Sequence, residues 1–314
     1  MTHTVAVAKG TTDPVRLQLA IPGAEIVEAT DFDSLPEAAM RTTVVALRSG
    51  MLLGRQQLDR LPLLQHVVRV GSGTDNIDVP ELAQRGITLH RNPHVSAAAV
   101  AEWCLVAGLS LARRVPLGHN ALSQGRHVKD ACLGRPFSEL DVAVWGAGPV
   151  GRSTARLLAP FARQVTFAHW PSNPPELPQL PARTLVERAD VHVVAVPLRH
   201  GTRGLFDEPF LAGVADRRPL VICAGRIETL DVDAFLRALD AQQIGGLALD
   251  AIDPEHMGLV HPADGLRNLL VTPHIGAQRT DVRRDLDAWL TQLIASILTG
   301  PATGPAVAVH LEDR

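Results

Sequence analysis

The chain has 314 residues, of which 46% are apolar and 20% charged, and its formal net charge is −3. This length leaves room for two domains of ordinary size, and the composition is typical of a folded globular protein. Acidic and basic residues are mixed along the chain, which argues against a nucleic-acid partner or an anionic membrane surface. The absence of tyrosine excludes the nicotinamide reductases that take their proton from a Tyr–Lys pair.

The apolar and cysteine patterns indicate where the protein works. Its three cysteines are odd in number and not clustered, which fits a reducing cytoplasm and excludes a four-cysteine zinc site. The first twenty residues lack the basic start and long apolar stretch of a signal peptide. The most apolar long segment, 96–113, is too short and too polar to span a bilayer. We therefore expect a cytoplasmic protein with no membrane partner.

Short apolar strands alternate with helical segments along the chain, which predicts an α/β fold with parallel sheets. The first group of predicted strands is 5–8, 25–28, 44–47, 67–70 and 87–90, and the second is 142–145, 165–168, 191–196, 220–223, 246–249 and 269–271. The predicted helices are 56–61, 80–85, 96–113, 151–158, 208–215, 232–240 and 281–298. The segment 171–181, with five prolines in eleven residues, predicts an exposed loop. We predict two doubly wound domains, one of residues 1–98 plus 285–314 and the other of residues 99–284.

A glycine-rich turn follows the predicted strand 142–145. Its residues are Gly146, Ala147, Gly148, Pro149, Val150 and Gly151. In a strand–turn–helix context the glycines allow the tight turn, the approach of a pyrophosphate and close helix–strand packing. The free N–H groups at the helix N-terminus can then bind phosphate. The pattern predicts a dinucleotide-binding loop.

The second strand of such a unit usually ends in an acidic residue that binds the adenosine ribose. Here the strand ends in His169, and no carboxylate occurs before Glu176. His169 or Ser172 could donate a hydrogen bond to a 2′-phosphate, although no arginine follows directly and His169 could equally be a solvent-facing strand end. The sequence leaves NAD(H) and NADP(H) open, with a slight preference for NADP(H).

Three polar side chains follow apolar, strand-like runs farther along the chain. They are Arg226, Glu255 and His274. Arginine can bind a carboxylate through paired hydrogen bonds, and histidine can exchange a proton near pH 7 while a carboxylate holds it. These are the groups needed to transfer hydride to the carbonyl of a 2-keto acid.

Six ordered motifs carry a resemblance to a known family. They are VVRVGSGTDNID (67–78), RGITLHRNPHVSAAAVAE (85–102), the glycine loop, ICAGR, LDAIDPE and TPHIGA. On these motifs the chain resembles the D-isomer-specific 2-hydroxyacid dehydrogenases. The resemblance implies a flavodoxin-like substrate domain and a Rossmann dinucleotide-binding domain, with the active site in the cleft between them.

The resemblance also implies a role for each candidate residue. Arg226 would bind the substrate carboxylate and polarise its carbonyl, so that no metal is needed. His274 would be the acid–base residue and Glu255 its partner. Asp250 would hold the carboxamide of the nicotinamide.

Further implications concern the first domain and the assembly. Backbone amides around Ser72 and Gly73 would hold the substrate carboxylate. Arg48 could bind a second acidic group on the substrate, or it could be an ordinary surface arginine. The segment 100–140 resembles the helix and arm through which these enzymes form homodimers. We expect a 2-keto or 2-hydroxy acid as the small-molecule substrate, with small, phosphorylated and aromatic acids all left open.

Two positions depart from the family pattern. Ile227, Glu228 and Thr229 stand where paired glycines often follow the catalytic arginine, and His256 replaces a common proline after Glu255. A phosphite dehydrogenase on the same scaffold is an alternative, because phosphite oxidation uses the same three residue types. A non-catalytic, NAD(H)-sensing relative of the dehydrogenase-like corepressors is another, although the chain lacks a disordered tail or basic region.

Overall fold

The computed structural model describes residues 3–33, 35, 40–258 and 267–299, and of Glu255 it describes the backbone only. The chain divides into two compact units. Unit 1 comprises Met1–Ser96 and Thr280–Arg314, and unit 2 comprises Ala97–Arg279. The boundaries thus fall at 96/97 and 279/280, where the sequence predicts 98/99 and 284/285. Residues 300–314 of the predicted segment 285–314 lie outside the described residues.

Unit 1 is built on a five-stranded parallel sheet. Its strands are β1 (His3–Ala8), β2 (Ala24–Ala29), β3 (Thr42–Leu47), β4 (His66–Arg69) and β5 (Thr88–Arg91). Their order is β2-β1-β3-β4-β5, which is the flavodoxin-like order. Its helices are α1 (Pro14–Ala20), α2 (Arg55–Asp59), α3 (Val79–Gln84) and the last helix of the chain, α10 (Thr280–Thr299). The predicted flavodoxin-like fold is confirmed.

Unit 2 is built on a seven-stranded parallel sheet. Its strands are β6 (Asp141–Trp145), β7 (Gln164–Ala168), β8 (Gln179–Leu180), β9 (Val191–Val194), β10 (Leu220–Cys223), β11 (Gly246–Leu249) and β12 (Leu269–Val271). Their order is β12-β11-β10-β9-β6-β7-β8, which contains the Rossmann order 3-2-1-4-5-6. Its helices are α4 (Ala97–Ala112), α5 (Val115–Ser123), α6 (Pro149–Leu158), α7 (Ala182–Arg188), α8 (Glu208–Val214) and α9 (Val232–Asp240). The predicted Rossmann fold is confirmed.

Helix α9 shows how local sequence produces these elements. The side chain of Asp231 accepts a hydrogen bond from the N–H of Ala234 and caps the first turn. Buried apolar residues then recur at the i, i+3, i+4, i+7 spacing of one helix face: Val232, Phe235, Leu236 and Leu239. That face packs into the apolar core of unit 2.

Strand register determines where the loops of unit 2 begin. Leu249 at the end of β11 pairs with Cys223 of β10 and with Val271 of β12. The three strands therefore end at the same level. Because parallel strands share one carboxyl edge, the loops that follow them start side by side at the edge where ligands bind in such sheets.

The proline-rich segment differs from the expectation of a loop throughout 171–181. Gln179 and Leu180 form β8, a two-residue strand at the edge of the sheet. The backbone N–H groups of Phe167 and His169 donate to this short strand and to the residue before it. The prolines flank this pair and an edge strand is bonded on one side only, so the missing N–H groups break no ladder.

Candidate functional site

Arg226 projects from a fixed backbone just after β10. Its carbonyl oxygen accepts hydrogen bonds from the N–H of Thr229 at 3.1 Å and from the hydroxyl of Thr229 at 2.7 Å. Thr229 is fully buried at the end of the 3-10 helix Ile227–Thr229. A Cβ atom on Gly225 would lie 2.7 Å from the carbonyl oxygen of Val196, so only glycine fits before the arginine.

His274 lies on a loop that Asp250 organises. Its φ of 56° is in the left-handed region, which costs energy for a residue with a Cβ atom. The Asp250 carbonyl accepts the His274 N–H at 2.6 Å. The Asp250 carboxylate accepts the Thr272 hydroxyl at 2.7 Å and the N–H groups of Ile275 and Gly276 at 2.8 and 2.7 Å. Asp250, only 3% exposed, therefore holds the strained loop that presents His274.

The imidazole of His274 lies between an arginine and a carboxylate. Its Nε2 is 3.2 Å from Nη1 of Arg226, and its Nδ1 is 3.2 Å from Oδ1 of Asp253. The side chains of His274 and Asp253 are 26% and 31% exposed, so solvent reaches both. The structure thus brings together Arg226 and His274, two of the three residues predicted to carry the chemistry.

The carboxylate at His274 comes from a residue that the sequence analysis did not select. The backbone of Glu255 lies in the 3-10 helix Pro254–His256, and its side chain lies outside the described residues. Asp253 immediately precedes this helix. The available signal was an acidic residue in the loop after β11, but the family spacing pointed to Glu255 instead.

Two positions that depart from the family pattern face each other beside this cluster. Oε1 of Glu228 is 3.8 Å from Nε2 of His256, and the two side chains are 27% and 13% exposed. Nδ1 of His256 accepts the backbone N–H of Asp253 at 3.3 Å. His256 therefore links the pair by one hydrogen bond to Asp253, the residue that contacts His274.

The glycine loop has the shape that a pyrophosphate needs. Gly146 has a φ of 105°, and a Cβ atom there or on Gly151 would collide with a backbone oxygen. A Cβ atom on Gly148 would meet nothing within 4 Å, so the backbone is open at this point. Pro149 begins α6, and the N–H groups of Val150 and Gly151 have no acceptor within the helix. The loop fits the phosphates of a dinucleotide.

His169 stands at the end of β7, where the ribose of a bound dinucleotide is expected. Its side chain is exposed, and Nδ1 lies 3.0 Å from Oε1 of Gln179. The side-chain amide of Asn173 donates to the same oxygen at 3.3 Å. An amide oxygen only accepts, so Nδ1 carries a hydrogen and Nε2 carries one only in the imidazolium. No carboxylate takes part in this arrangement.

Unit 1 contains the remaining candidates. Arg48 follows β3, and Ser72 and Gly73 follow β4, the strand paired with it. Burial lowers the pKa of Arg48, the charge of Arg283 lowers it further, and the charge of Asp287 raises it. Arg48 is therefore a half-buried cation that already has charged neighbours on α10.

In the described part of the chain, no helix is long and apolar enough to cross a membrane. The same residues contain no group of three or more His, Cys, Asp or Glu side chains that could hold a metal ion.

Comparison with protein families gives a match over residues 105–276, to the model of the D-isomer specific 2-hydroxyacid dehydrogenase, NAD binding domain. Hydroxypyruvate reductase of Thermotoga maritima is 26% identical over 277 residues, which cover 85% of this chain and 88% of that protein. D-3-phosphoglycerate dehydrogenase of Synechocystis is 25% identical over 288 residues, or 90% of this chain. The chain spans about half the length of the Synechocystis protein, of which 51% is matched.

Among solved structures, D-lactate dehydrogenase of Aquifex aeolicus in complex with NAD and lactic acid superimposes with a TM-score of 0.84. The match covers 94% of this chain and 95% of that one, at 20% sequence identity. At this identity the likeness concerns the fold, and it holds for nearly the whole chain.

Proposed function

The chain belongs to the D-isomer-specific 2-hydroxyacid dehydrogenase family, and from that premise we propose that it transfers hydride between a nicotinamide cofactor and a 2-keto acid/D-2-hydroxy acid pair. The observation that carries the proposal is the contact of 3.2 Å between Nη1 of Arg226 and Nε2 of His274. It puts a permanent cation beside a proton donor at the ligand-binding edge of a Rossmann sheet. A carbonyl undergoing reduction needs both groups at its oxygen.

Each residue then has a definite task. When bound, the nicotinamide supplies or accepts the hydride. Arg226 binds the substrate carboxylate and stabilises the negative charge that develops on the carbonyl oxygen. His274 delivers a proton from Nε2 to that oxygen during reduction and removes it during oxidation. Glu255 is retained, on the family pattern, as the acidic partner proposed for this histidine.

Unit 1 is proposed to recognise the acid group of the substrate. The backbone amides of Ser72 and Gly73 bind the carboxylate, and Arg48 binds a second acidic group where the substrate has one. Asp250 is proposed to hold the carboxamide of the nicotinamide in addition to organising the His274 loop. The proposed substrates are 2-keto acids, which include small ones such as glyoxylate and hydroxypyruvate as well as phosphorylated and aromatic ones.

We propose that NADP(H) is preferred to NAD(H). The support is the absence of a carboxylate after β7, where one would repel a 2′-phosphate, and the presence of the exposed imidazole of His169. The pyrophosphate would rest on the amides at the start of α6.

We also propose a cytoplasmic homodimer. Four apolar side chains between residues 100 and 140 are exposed by 54–84% in the single chain: Val106, Val115, Leu122 and Leu133. Burying such side chains is favourable, and α4 and α5 carry three of the four. Light scattering on the purified protein measures the oligomeric state directly.

The decisive experiment follows nicotinamide absorbance with NADH and with NADPH across a panel of 2-keto acids. Phosphite with NAD⁺ or NADP⁺ is included to test the alternative. On the best substrate, His274→Ala should lower kcat by about 10²-fold or more, and Arg226→Ala should raise KM and lower kcat together. Wild-type rates in both variants, or no turnover of any keto acid, would overturn the proposal.

A further inference from the structure

Two arginines stand side by side at the carboxyl edge of the sheet in unit 1. Arg69 ends β4 and Arg91 ends β5, and they are direct partners in the strand register. Arg69 is only 5% exposed. Burying a guanidinium next to a second one is unfavourable unless their donors are used. Both side chains turn to the carbonyl oxygens of the segment that follows β4.

In that segment, residues 70–73, all four carbonyl oxygens accept a hydrogen bond. Arg69 donates from Nη1 to the carbonyl of Val70 at 2.9 Å and from Nε to that of Gly73 at 2.7 Å. The backbone N–H of Asn92 donates to the carbonyl of Gly71 at 3.2 Å. Arg91 donates from Nη1 to the carbonyl of Ser72 at 3.4 Å.

These bonds determine where the amides point. In a trans peptide the C=O of one residue and the N–H of the next point in opposite directions, and the described chain has no cis peptide bond. The bonded carbonyls of Ser72 and Gly73 therefore direct the N–H groups of Gly73 and Thr74 away from the guanidinium groups. The carbonyl of Gly71 likewise directs the N–H of Ser72 away from the backbone of Asn92. No hydrogen bond from these three amides occurs within the part of the chain that the structure describes.

The backbone before these amides favours glycine and lies against the same arginine. Gly71 has a φ of 146°, which L side chains rarely adopt, and a Cβ atom on it would lie 2.7 Å from Nη1 of Arg69. The arginine thus occupies the space next to the turn. Three consecutive N–H groups without a hydrogen bond in the described structure, with a guanidinium behind two of their three peptide carbonyls, form an electropositive concavity that suits an oxyanion.

From this arrangement we propose that Arg69 is the positioning residue of the amide nest formed by Ser72, Gly73 and Thr74, with Arg91 in a supporting role. Neither arginine touches the substrate. Arg69 holds back the carbonyl of Gly73 and Arg91 that of Ser72, so that amides, rather than a mixture of amides and carbonyls, face the carboxylate. The inference rests on the proposed function, because the anion assigned to the nest is the carboxylate of the 2-keto acid.

The test compares the full-length wild type with Arg69→Met, Arg69→Lys and Arg91→Met, and with Arg60→Met as an exposed arginine of the same unit. The probe is oxamate, a carboxylate analogue of a 2-keto acid. Oxamate should shift the ¹⁵N–¹H resonances of the Ser72, Gly73 and Thr74 amides in the wild type. Arg69→Met should weaken oxamate binding and raise the KM for keto acid by about tenfold or more, since a charge-assisted pair of bonds is lost.

If Arg69 only stabilised the fold, its loss would not act selectively on the binding of the keto acid. The KM for the nicotinamide cofactor should stay at its wild-type value, kcat should change less than the KM for keto acid, and Arg69→Lys should recover part of the affinity. Arg91→Met, a milder change at a half-buried residue, should weaken oxamate binding by about threefold, and Arg60→Met should leave it unchanged. If Arg69→Met fails to fold, the oxamate affinity of Arg91→Met decides the test.

The outcomes separate this inference from the proposed function. If folded Arg69→Met binds oxamate as tightly as the wild type, the inference is overturned. The same holds for Arg91→Met if only that variant folds. Turnover of a keto acid by the wild type upholds the proposed function in either case. Amides that do not respond to oxamate in the wild type also overturn the inference. Amides that do respond, in a protein that turns over no keto acid, uphold the nest and overturn the function.

Discussion

Nδ1 of His274 lies 3.2 Å from Oδ1 of Asp253. On the other side of the ring, the guanidinium of Arg226 can only donate, so Nε2 of a neutral His274 must accept. The hydrogen then resides on Nδ1, where the Asp253 carboxylate accepts it. Asp253 therefore selects the tautomer that leaves Nε2 as a proton acceptor, which is the state required for oxidation of a hydroxy acid.

We predict that Asp253→Ala lowers kcat by about tenfold or more, because the imidazole loses the acceptor that fixes its orientation and tautomer. The KM for the nicotinamide cofactor should stay close to the wild-type value, since the carboxylate contacts the histidine. Steady-state kinetics in both reaction directions measures the change. The ¹⁵N shifts of the His274 ring report the tautomer directly.

The matched comparison is Glu255→Ala, which removes the carboxylate that the family pattern selects. A large loss in Asp253→Ala with a small one in Glu255→Ala assigns the role to Asp253. The reverse result would show that the contact in the structure is not used in catalysis. Equal losses would mean that both carboxylates serve the histidine.

Asp250 provides a second prediction, because its carboxylate accepts three hydrogen bonds within the His274 loop. In Asp250→Asn a side-chain NH₂ group replaces one carboxylate oxygen. This NH₂ group then faces a hydrogen-bond donor of the loop, so at least one of the three hydrogen bonds is lost. We expect the cofactor-free protein to lose about 1–3 kcal/mol of unfolding free energy, and kcat to fall with it. Denaturant unfolding without cofactor is the measurement. Unchanged stability with weaker cofactor binding would instead favour the nicotinamide role alone.

The sequence predicted the parts of the site that follow strand ends and fell short where loop geometry decides. Arg226 and His274 come directly after apolar runs whose register is set by the sheet, so their proximity followed from the order of the strands. The contact of Asp253 depends on how a short 3-10 helix turns after β11, which no periodic pattern encodes. The pairing of Glu228 with His256 was equally hidden, since the two residues belong to different loops.

His169 provides a third prediction, on the choice of cofactor. Its exposed side chain lies at the end of β7, where a carboxylate would repel a 2′-phosphate. The ratio of kcat/KM for NADPH to that for NADH should therefore fall when a carboxylate replaces this imidazole. Steady-state assays with both cofactors at one pH give this ratio.

Two variants make the comparison. His169→Asp restores the acid that binds a ribose hydroxyl and should shift the ratio towards NADH by about tenfold or more. His169→Gln is the matched control, because it keeps a polar group without a negative charge, and it should shift the ratio less. An unchanged ratio in His169→Asp would count against any contact between this position and the 2′-phosphate.

The order of elements was readable from the sequence, and the short elements were not. Strands such as β10 are apolar throughout, and α9 has a regular buried face. By contrast, α1 buries only Leu17 and α7 buries only Leu185, so neither has the apolar repeat that marks a helix. Tertiary packing and caps produce these helices, and such causes are not periodic in the sequence.

A fourth prediction concerns His192, which is fully buried in β9. Nε1 of Trp145 donates to its Nδ1 at 3.1 Å, and its Nε2 is buried without a hydrogen-bond partner in the described structure. The rings of Trp145 and Phe210 pack against it. Burial lowers the pKa of His192 to about 3, and the charge of Asp190 only partly opposes this.

The sign of the stability change follows from the depressed pKa. Above about pH 6.5, the usual value for an unfolded histidine, both states are neutral and the stability is complete. As the pH falls from there towards 3, His192 binds a proton in the unfolded chain but stays neutral in the folded protein, so the free energy of unfolding decreases. Between pH 7 and 5 this one group should cost about 2 kcal/mol. Urea unfolding of the wild type and of His192→Gln, whose amide oxygen can still accept from Trp145, should show a smaller loss in the variant by that amount. Parallel losses in the two proteins would mean that His192 is protonated in the folded state or that it does not control acid stability.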